Sequence, residues 1–453
     1  METVKFNDLF MFGTAASATQ IEGGDTNHTW YRWCGEPGRI SDGSSCIRAC
    51  DHWNRLEEDT KILAGLQVQT YRMSVEWSRI QPKAGFFSAE AIEHYREEII
   101  LLQNHGIRPL VTLHHFSEPL WFMDSGGWIN PNNQELFLEY IRHVVENLGD
   151  LVSDWVTFNE PNVYTIFGYA LGIFPPGERD LKKTLRVASA VIASHCRAYQ
   201  LIHSIRRERR FKGETRVGTA MHIRIFDGLT AAGKATACFV DYIFHRLFLA
   251  GFYGGRFLFP LKAEDKIRPG IYMDYMGLNY YTRNIVEFVL DPKVYFYRFM
   301  NDTHLSRSDL GWDIYPKGIY RACKKYYRKY RLPIYITENG ISDRFDNRRP
   351  DFIKDHLAYV KKAIDEGIPV ERYYHWSQMD NFEWNEGENG NFGLYHCDFD
   401  TQIRTPRGSA VLYSDICGKK EFPYERNRFI DKKWGYNSFI IKTKGRNKNE
   451  TRL

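Results

Sequence analysis

The chain has 453 residues, 43% of them hydrophobic and 26% charged, with a formal net charge of +5. These values are ordinary for a soluble globular protein, and the length suits two or three domains or one large α/β barrel. Basic clusters such as Arg206 to Arg210 and Lys324 to Arg331 read as solvated helix faces, and without a recognisable module beside them they exclude a nucleic-acid partner.

The eight cysteines form no C-x-x-C pair, and Cys34, Cys46 and Cys50 lack the histidine spacing of a zinc site, so no metal is expected. Met1 is followed by polar residues rather than a basic and then apolar leader, and no run approaches the roughly eighteen apolar residues of a membrane span. A cytoplasmic protein without membrane contact is expected, and the sequons at Asn27, Asn301 and Asn449 then carry no meaning. Aromatic residues reach 15%, with 11 Trp and 28 Tyr, which suits a cleft lined with rings as well as a ring-filled core.

In chain order, the apolar segment Leu9 to Ala18 continues through T-Q-I-E-G-G and reads as a strand delivering Gln20 and Glu22 into a glycine-bearing loop. A helix (Trp53 to Leu66) then precedes a strand (Val68 to Val75), and the pattern repeats with Ala89 to His105 before Arg108 to His115, and Asn133 to Leu148 before Asp154 to Phe158. In the second half, Ser189 to Arg207 precedes Arg216 to His222, and a looser helical region precedes Tyr275 to Tyr281. Helices at Pro316 to Arg331 and Phe352 to Glu366 precede strands at Pro333 to Glu338 and Arg372 to Ser377. Eight apolar strands alternating with helices predict a single (β/α)8 TIM barrel over residues 1–418, with the active site at the C-terminal strand ends. Residues 419–453, rich in Lys, Arg and Asn, read as a peripheral basic extension that packs at most through Trp434 to Ile441.

The strand ends are then the place to look for chemistry. The stretch Trp155 to Asn162 runs an apolar strand straight into Asn159, Glu160 and Pro161, and proline cannot extend the ladder. Taken alone, Glu160 is more readily explained as a capping or ion-paired residue after a core strand. The other ends supply Gln20, Arg72, His115, Asn279, Tyr281, Glu338 and Trp376, with Glu383 and Trp384 in the loop beyond the last strand. His114 and His115 alternate, so only one faces the lumen; Trp376 also fits a core position, and Arg72 a structural ion pair. Two carboxyls facing each other are what glycosidic cleavage needs, about 5 to 5.5 Å apart for retention and further apart for inversion. Competing signatures, H-E-x-x-H, G-x-S-x-G, a Walker loop or a dinucleotide fingerprint, are absent from the sequence.

Over residues 6–415 the chain resembles glycoside hydrolase family 1, the β-glucosidase and β-galactosidase family. The T-F-N-E-P segment at Thr157 to Pro161 resembles the family's acid/base motif, and I-T-E-N-G at Ile336 to Gly340 its nucleophile motif. Supporting matches are Ala15 to Gly23, Tyr71 to Ile80, N-Y-Y-T at Asn279 to Thr282, and W-S-Q-M-D-N-F-E-W at Trp376 to Trp384. The resemblance implies an exo-acting, retaining β-glycosidase without metal or organic cofactor. It makes Glu338 the nucleophile, steadied by Arg72 and Tyr281, and Glu160 the acid and base. It also implies that Asn159 binds the sugar 2-hydroxyl, that Gln20, His115, Asn279, Glu383 and Trp384 bind substrate, and that Trp376 forms an apolar floor. The usual W-D-x-P is F-S-E-P at Phe116 to Pro119, and Gly387 to Asn391 is an unusually polar turn; both bear on the leaving-group side. Glu383 argues against 6-phosphorylated sugars, because a carboxylate repels the dianion. Glycone preference and oligomeric state stay open. An inactive sugar-binding protein and a transglycosylase share this pattern, and the former is disfavoured because both glutamates are present.

Overall fold

The computed structural model describes residues 2–291 and 294–425. Eight parallel strands close on themselves: β1 (Met11–Ala15), β2 (Thr70–Ser74), β3 (Arg108–Thr112), β4 (Asp154–Asn159), β5 (Arg216–Asp227), β6 (Met276–Phe288), β7 (Ile334–Asn339) and β8 (Val370–Trp376). Closure comes from β8 pairing with β1, Trp376 opposite Ala15, while β5 pairs with β6, His222 opposite Asn279. The expected TIM barrel is therefore the observed fold.

Each strand is followed by a covering helix: α1 (Leu56–Gly65), α2 (Ala89–Asn104), α3 (Asn133–Leu148), α4 (Leu181–Glu208), α5 (Ala231–Asp241), α6 (Lys317–Tyr330), α7 (Arg349–Asp365) and α8 (Gly408–Lys419). Local chemistry starts several of them. The Ser88 side chain accepts from Ala91 N–H at α2, Asp180 accepts from Lys182 and Lys183 N–H at α4, and Thr230 accepts from Gly233 N–H at α5, each satisfying amides the helix leaves unpaired.

Strand alternation divides the core in two. In β7, Ile334 and Ile336 point outward into the large layer between barrel and helices, whereas Tyr335 points into the lumen with Leu110, Val156, Tyr275 and Tyr374. Arg372 and Asp154 form a buried ion pair 3.1 Å apart inside the barrel, and Tyr275 stacks on Tyr335 with ring centroids 4.1 Å apart. The lumen is packed with these side chains below the C-terminal strand ends.

Three details differ from the sequence reading. First, β1 stops at Ala15, and Gln20 lies in a four-residue helical turn, Ala18–Ile21. Second, β5 and β6 run past the rim to Asp227 and Phe288, still pairing with each other (Asp227 opposite Ile285), and Tyr297–Met300 adds an antiparallel strand to β6. Third, α8 ends at Lys419, and Glu421–Tyr424 pairs antiparallel with Glu2–Lys5, so the first part of the 419–453 stretch is tied to the start of the chain. Trp434 to Ile441 and Asn449 lie outside the described residues. The helical run Ala231–Gly254, with mean hydropathy 1.2 over its most apolar window, is long enough to cross a membrane by length and apolarity alone. Lys234, Asp241 and Arg246 interrupt it, and Leu247, Phe248 and Leu249 are buried in the barrel's outer layer.

Candidate active site

Ten of the eleven residues singled out from the sequence are buried and Glu383 is half-buried, and all come from the C-terminal strand ends or the turns immediately beyond them. Glu160 follows β4 directly. Its backbone is left-handed, at φ 41° and ψ 55°, a conformation a non-glycine residue holds only when its surroundings impose it. Here Pro161 begins a short helix behind it, and the Glu160 N–H bonds to Ala220 O of β5 at 2.7 Å.

Glu338, on β7, has both carboxylate oxygens engaged. Arg72 Nη1 donates to Oε1, and the Tyr281 hydroxyl donates to Oε2 at 2.6 Å. The same guanidinium donates through Nη2 to Asn159 Oδ1 at 2.7 Å and through Nε to Thr112 Oγ1 at 3.2 Å. Arg72 is thus the ion-pair partner of one carboxylate and the anchor of the asparagine beside the other. Asn279 Nδ2 completes the bridge, donating to Asn159 Oδ1 at 3.0 Å and to Glu160 Oε1 at 2.9 Å, while Thr337 Oγ1 donates to Asn279 Oδ1 at 2.6 Å.

The histidine alternation resolves. His114 turns outward to Glu118 Oε1, 2.8 Å from its Nε2, and His115 turns inward. Because Asn159 Oδ1 is occupied by two donors, its Nδ2 donates to His115 Nε2 at 2.9 Å. Burial holds the His115 imidazolium well below its ordinary range, helped by the Arg72 charge, so the ring is neutral with its proton on Nδ1. That Nδ1 has no protein partner and is left to serve a ligand hydroxyl. Trp376 and Trp384 lie nearly parallel to His115, at interplanar angles of 25° and 23°, giving a flat wall suited to a sugar's C–H face.

Gln20 is fully enclosed. Its Nε2 bonds Phe382 O at 2.9 Å and reaches Glu383 Oε2 at 3.4 Å, and its Oε1 accepts from Ser17 Oγ at 2.7 Å. Its structural task is to hold the turn that carries Glu383. A surface cavity of about 980 Å³ borders Glu388, Asn389 and Asn391 but contains none of the eleven residues; it lies beside the polar turn, outside the carboxylate pair.

The carboxylates are electrostatically strained. Burial, reinforced by Glu160, pushes Glu338 up to about 7, against the pull of Arg72 and Tyr281. Burial also pushes Glu383 up to about 8, only partly offset by a hydrogen bond from Trp376. For Glu338 the cost of desolvating the charge thus outweighs the stabilisation that Arg72 and Tyr281 supply. A nucleophilic carboxylate must be ionised, so kcat/KM for an activated aryl glycoside should fall as the pH drops below about 7. Measured between about pH 5 and pH 9, a profile flat down to pH 5 would contradict this assignment.

Two neighbours escaped the sequence reading. His222, in β5, lies with Nδ1 2.8 Å from Glu160 Oε1, and Arg224 Nε donates to His222 Nε2 at 3.0 Å. Strand alternation, which places residues two apart on one face, is the signal that would have found them.

A TIM barrel whose fourth and seventh strands end in buried glutamates, bridged through Arg72, Asn159 and Asn279 and flanked by an indole wall, defines the class: an O-glycosyl hydrolase barrel. The sequence model of glycosyl hydrolase family 1 matches residues 2–422, and this chain belongs to that family. Among similar proteins, β-glucosidase A of Thermotoga maritima is 32% identical over 446 residues, covering 92% of this chain and 98% of the relative. β-Glucosidase 47 of Arabidopsis thaliana is 30% identical over 489 residues, covering 97% and 90%. The solved β-glycosidase from Pyrococcus horikoshii matches with TM-score 0.84 and 38% identity, over 93% of this chain and 97% of that one.

Proposed function

We propose that the protein hydrolyses the β-glycosidic bond at the non-reducing end of a small glycoside or oligosaccharide, with retention, through a covalent glycosyl-enzyme. The observation that carries this reading is the unequal treatment of the two carboxylates. Glu338 has both oxygens held by Arg72 and Tyr281, which suits a fixed nucleophile. Both protein contacts of the Glu160 carboxylate fall on Oε1, which leaves Oε2 for proton transfer.

In the first step a Glu338 oxygen forms a bond to the anomeric carbon while the bond to the leaving oxygen breaks, and Glu160 gives that oxygen its proton. The Glu338 charge is neutralised in the ester, which removes the repulsion acting on Glu160. Glu160 then takes a proton from water, the water oxygen bonds the anomeric carbon, and the ester bond to Glu338 breaks. Two inversions give net retention. The first step requires one proton shared between the two carboxyls, with the negative charge on Glu338 beside the Arg72 guanidinium.

The second Asn159 Nδ2 proton, His115 Nδ1 and Glu383 are the groups left to meet sugar hydroxyls. Relatives named β-glucosidase, one solved in complex with glucoimidazole, favour a glucose-like glycone. The charged neighbours that raise Glu383 are Glu338, Glu160 and Glu386, all of the sign that opposes a 6-phosphate. A panel of nitrophenyl β-glycosides with 6-phospho analogues tests the reading: β-glucoside hydrolysis is expected and the phospho analogues should be inert. No turnover on any member would sink the enzymatic reading and favour a sugar-binding protein.

A further inference from the structure

Glu160 is not held by the strand that carries it alone. Its Oε1 receives Asn279 Nδ2 at 2.9 Å and faces His222 Nδ1 at 2.8 Å. On the far side of the imidazole, Arg224 Nε donates to His222 Nε2 at 3.0 Å, and Arg224 Nη1 donates to Asn284 Oδ1 at 3.2 Å. A guanidinium has only donors and does not lose its proton in a protein. Nε2 of His222 must therefore be the acceptor, which puts the ring hydrogen on Nδ1, directed at Glu160.

The ring has little freedom to turn. It lies nearly parallel to Tyr281, with centroids 6.0 Å apart at 18°, and Phe244 meets it edge-on at 5.9 Å. Tyr281 is also the donor to Glu338, so the stack connects the two carboxylates. The Arg224 backbone N–H bonds to His245 Nε2 at 3.2 Å, whose Nδ1 is 2.8 Å from Asp241 Oδ1, fixing the strand segment behind the arginine.

Resting on the reading of Glu160 as acid and base, we propose that His222 and Arg224 are positioning residues for the proton transfer. Arg224 sets the imidazole tautomer. The Nδ1–H and Asn279 together occupy Oε1, so the transferable proton resides on Oε2, facing the leaving oxygen and later the water. No electron or covalent bond changes hands in the relay itself; its product is orientation.

The test uses the full-length protein with phenyl and dinitrophenyl β-glucosides, the second of which leaves without protonation. His222→Ala should lower kcat/KM on the phenyl glucoside by about 10²-fold, the scale of a lost proton transfer, and change it by no more than about 3-fold on the dinitrophenyl glucoside. On the latter substrate kcat should fall with KM, because attack by water uses the same oxygen. His222→Asn retains a donor near the Nδ1 position and should restore most of the loss. Arg224→Met should slow the phenyl substrate in the native background and leave it unchanged in His222→Asn, where no tautomer needs setting. Equal loss of kcat/KM on both substrates, or an Arg224→Met effect that persists in His222→Asn, would overturn the proposal. Glu160→Ala serves as the control. If it discriminates between leaving groups and His222→Ala does not, only the relay falls; if Glu160→Ala fails to discriminate, the acid/base reading falls with it.

Discussion

Glu338→Ala is expected to reduce turnover of aryl β-glycosides by on the order of 10⁶-fold, the scale on which an enzyme loses rate with its nucleophile. The substitution removes the atom that bonds the anomeric carbon and leaves a space bounded by the Arg72 guanidinium and the Tyr281 hydroxyl, both former partners of the carboxylate. That space is cationic and has a donor on each side, which suits a small anion. Azide should enter it, attack the anomeric carbon from the face Glu338 occupied, and restore cleavage of an activated aryl β-glycoside. One bond forms to azide nitrogen and one breaks to the aryl oxygen, so the product is the α-glycosyl azide, with inverted configuration. Arg72 would be left buried without its partner, a change that costs about 3 to 5 kcal/mol in comparable cases. A thermal melt must therefore accompany the assay, and Glu338→Gln, which keeps hydrogen-bonding groups near Arg72 and Tyr281, provides an inactive and better-folded companion. Retained activity in both variants would refute the nucleophile assignment.

The barrel was legible because parallel strands covered on both faces tend towards continuous apolar runs, which the segments around β3, β4 and β7 approach most closely. What was not legible follows from the same rule. Beyond the rim, β5 and β6 leave the barrel's two-sided burial and pair with each other, and their sequences, such as H-I-R-I-F-D, alternate instead. Ending β5 at His222 hid Arg224 two residues further along. Gln20 was read as delivered by a strand into a loop because a helical turn of four residues is too short to show a period of 3.6.

At the site itself, residue types and strand-end positions were readable, but the division of labour among hydrogen bonds was not. Nothing in Asn279 announces that its one Nδ2 reaches both Asn159 and Glu160. Nor does the sequence weigh desolvation against an adjacent arginine. Arg72 and Tyr281 were read as steadying the ionised Glu338, and burial raises it to about 7 against their pull.

Glu160→Ala should separate substrates by leaving group. An alkyl or unsubstituted phenyl leaving oxygen needs a proton in the transition state, and losing the donor costs about 10²- to 10⁴-fold. A dinitrophenolate departs without help, so formation of the glycosyl-enzyme should be nearly unaffected for that substrate. Its breakdown should still be slow, because water attack needs the same carboxylate as base, and the expected signature is a burst of dinitrophenol followed by a low steady rate with a small KM. Azide needs no base and should accelerate that second step, arriving from the side Glu160 served and giving a β-glycosyl azide with retained configuration. The two alanine variants thus take the same anion to products of opposite stereochemistry, since azide replaces the nucleophile in one and the water in the other. Equal loss on both leaving groups would remove Glu160 from the acid role, and an α-azide from this variant would remove Glu338 from the covalent one.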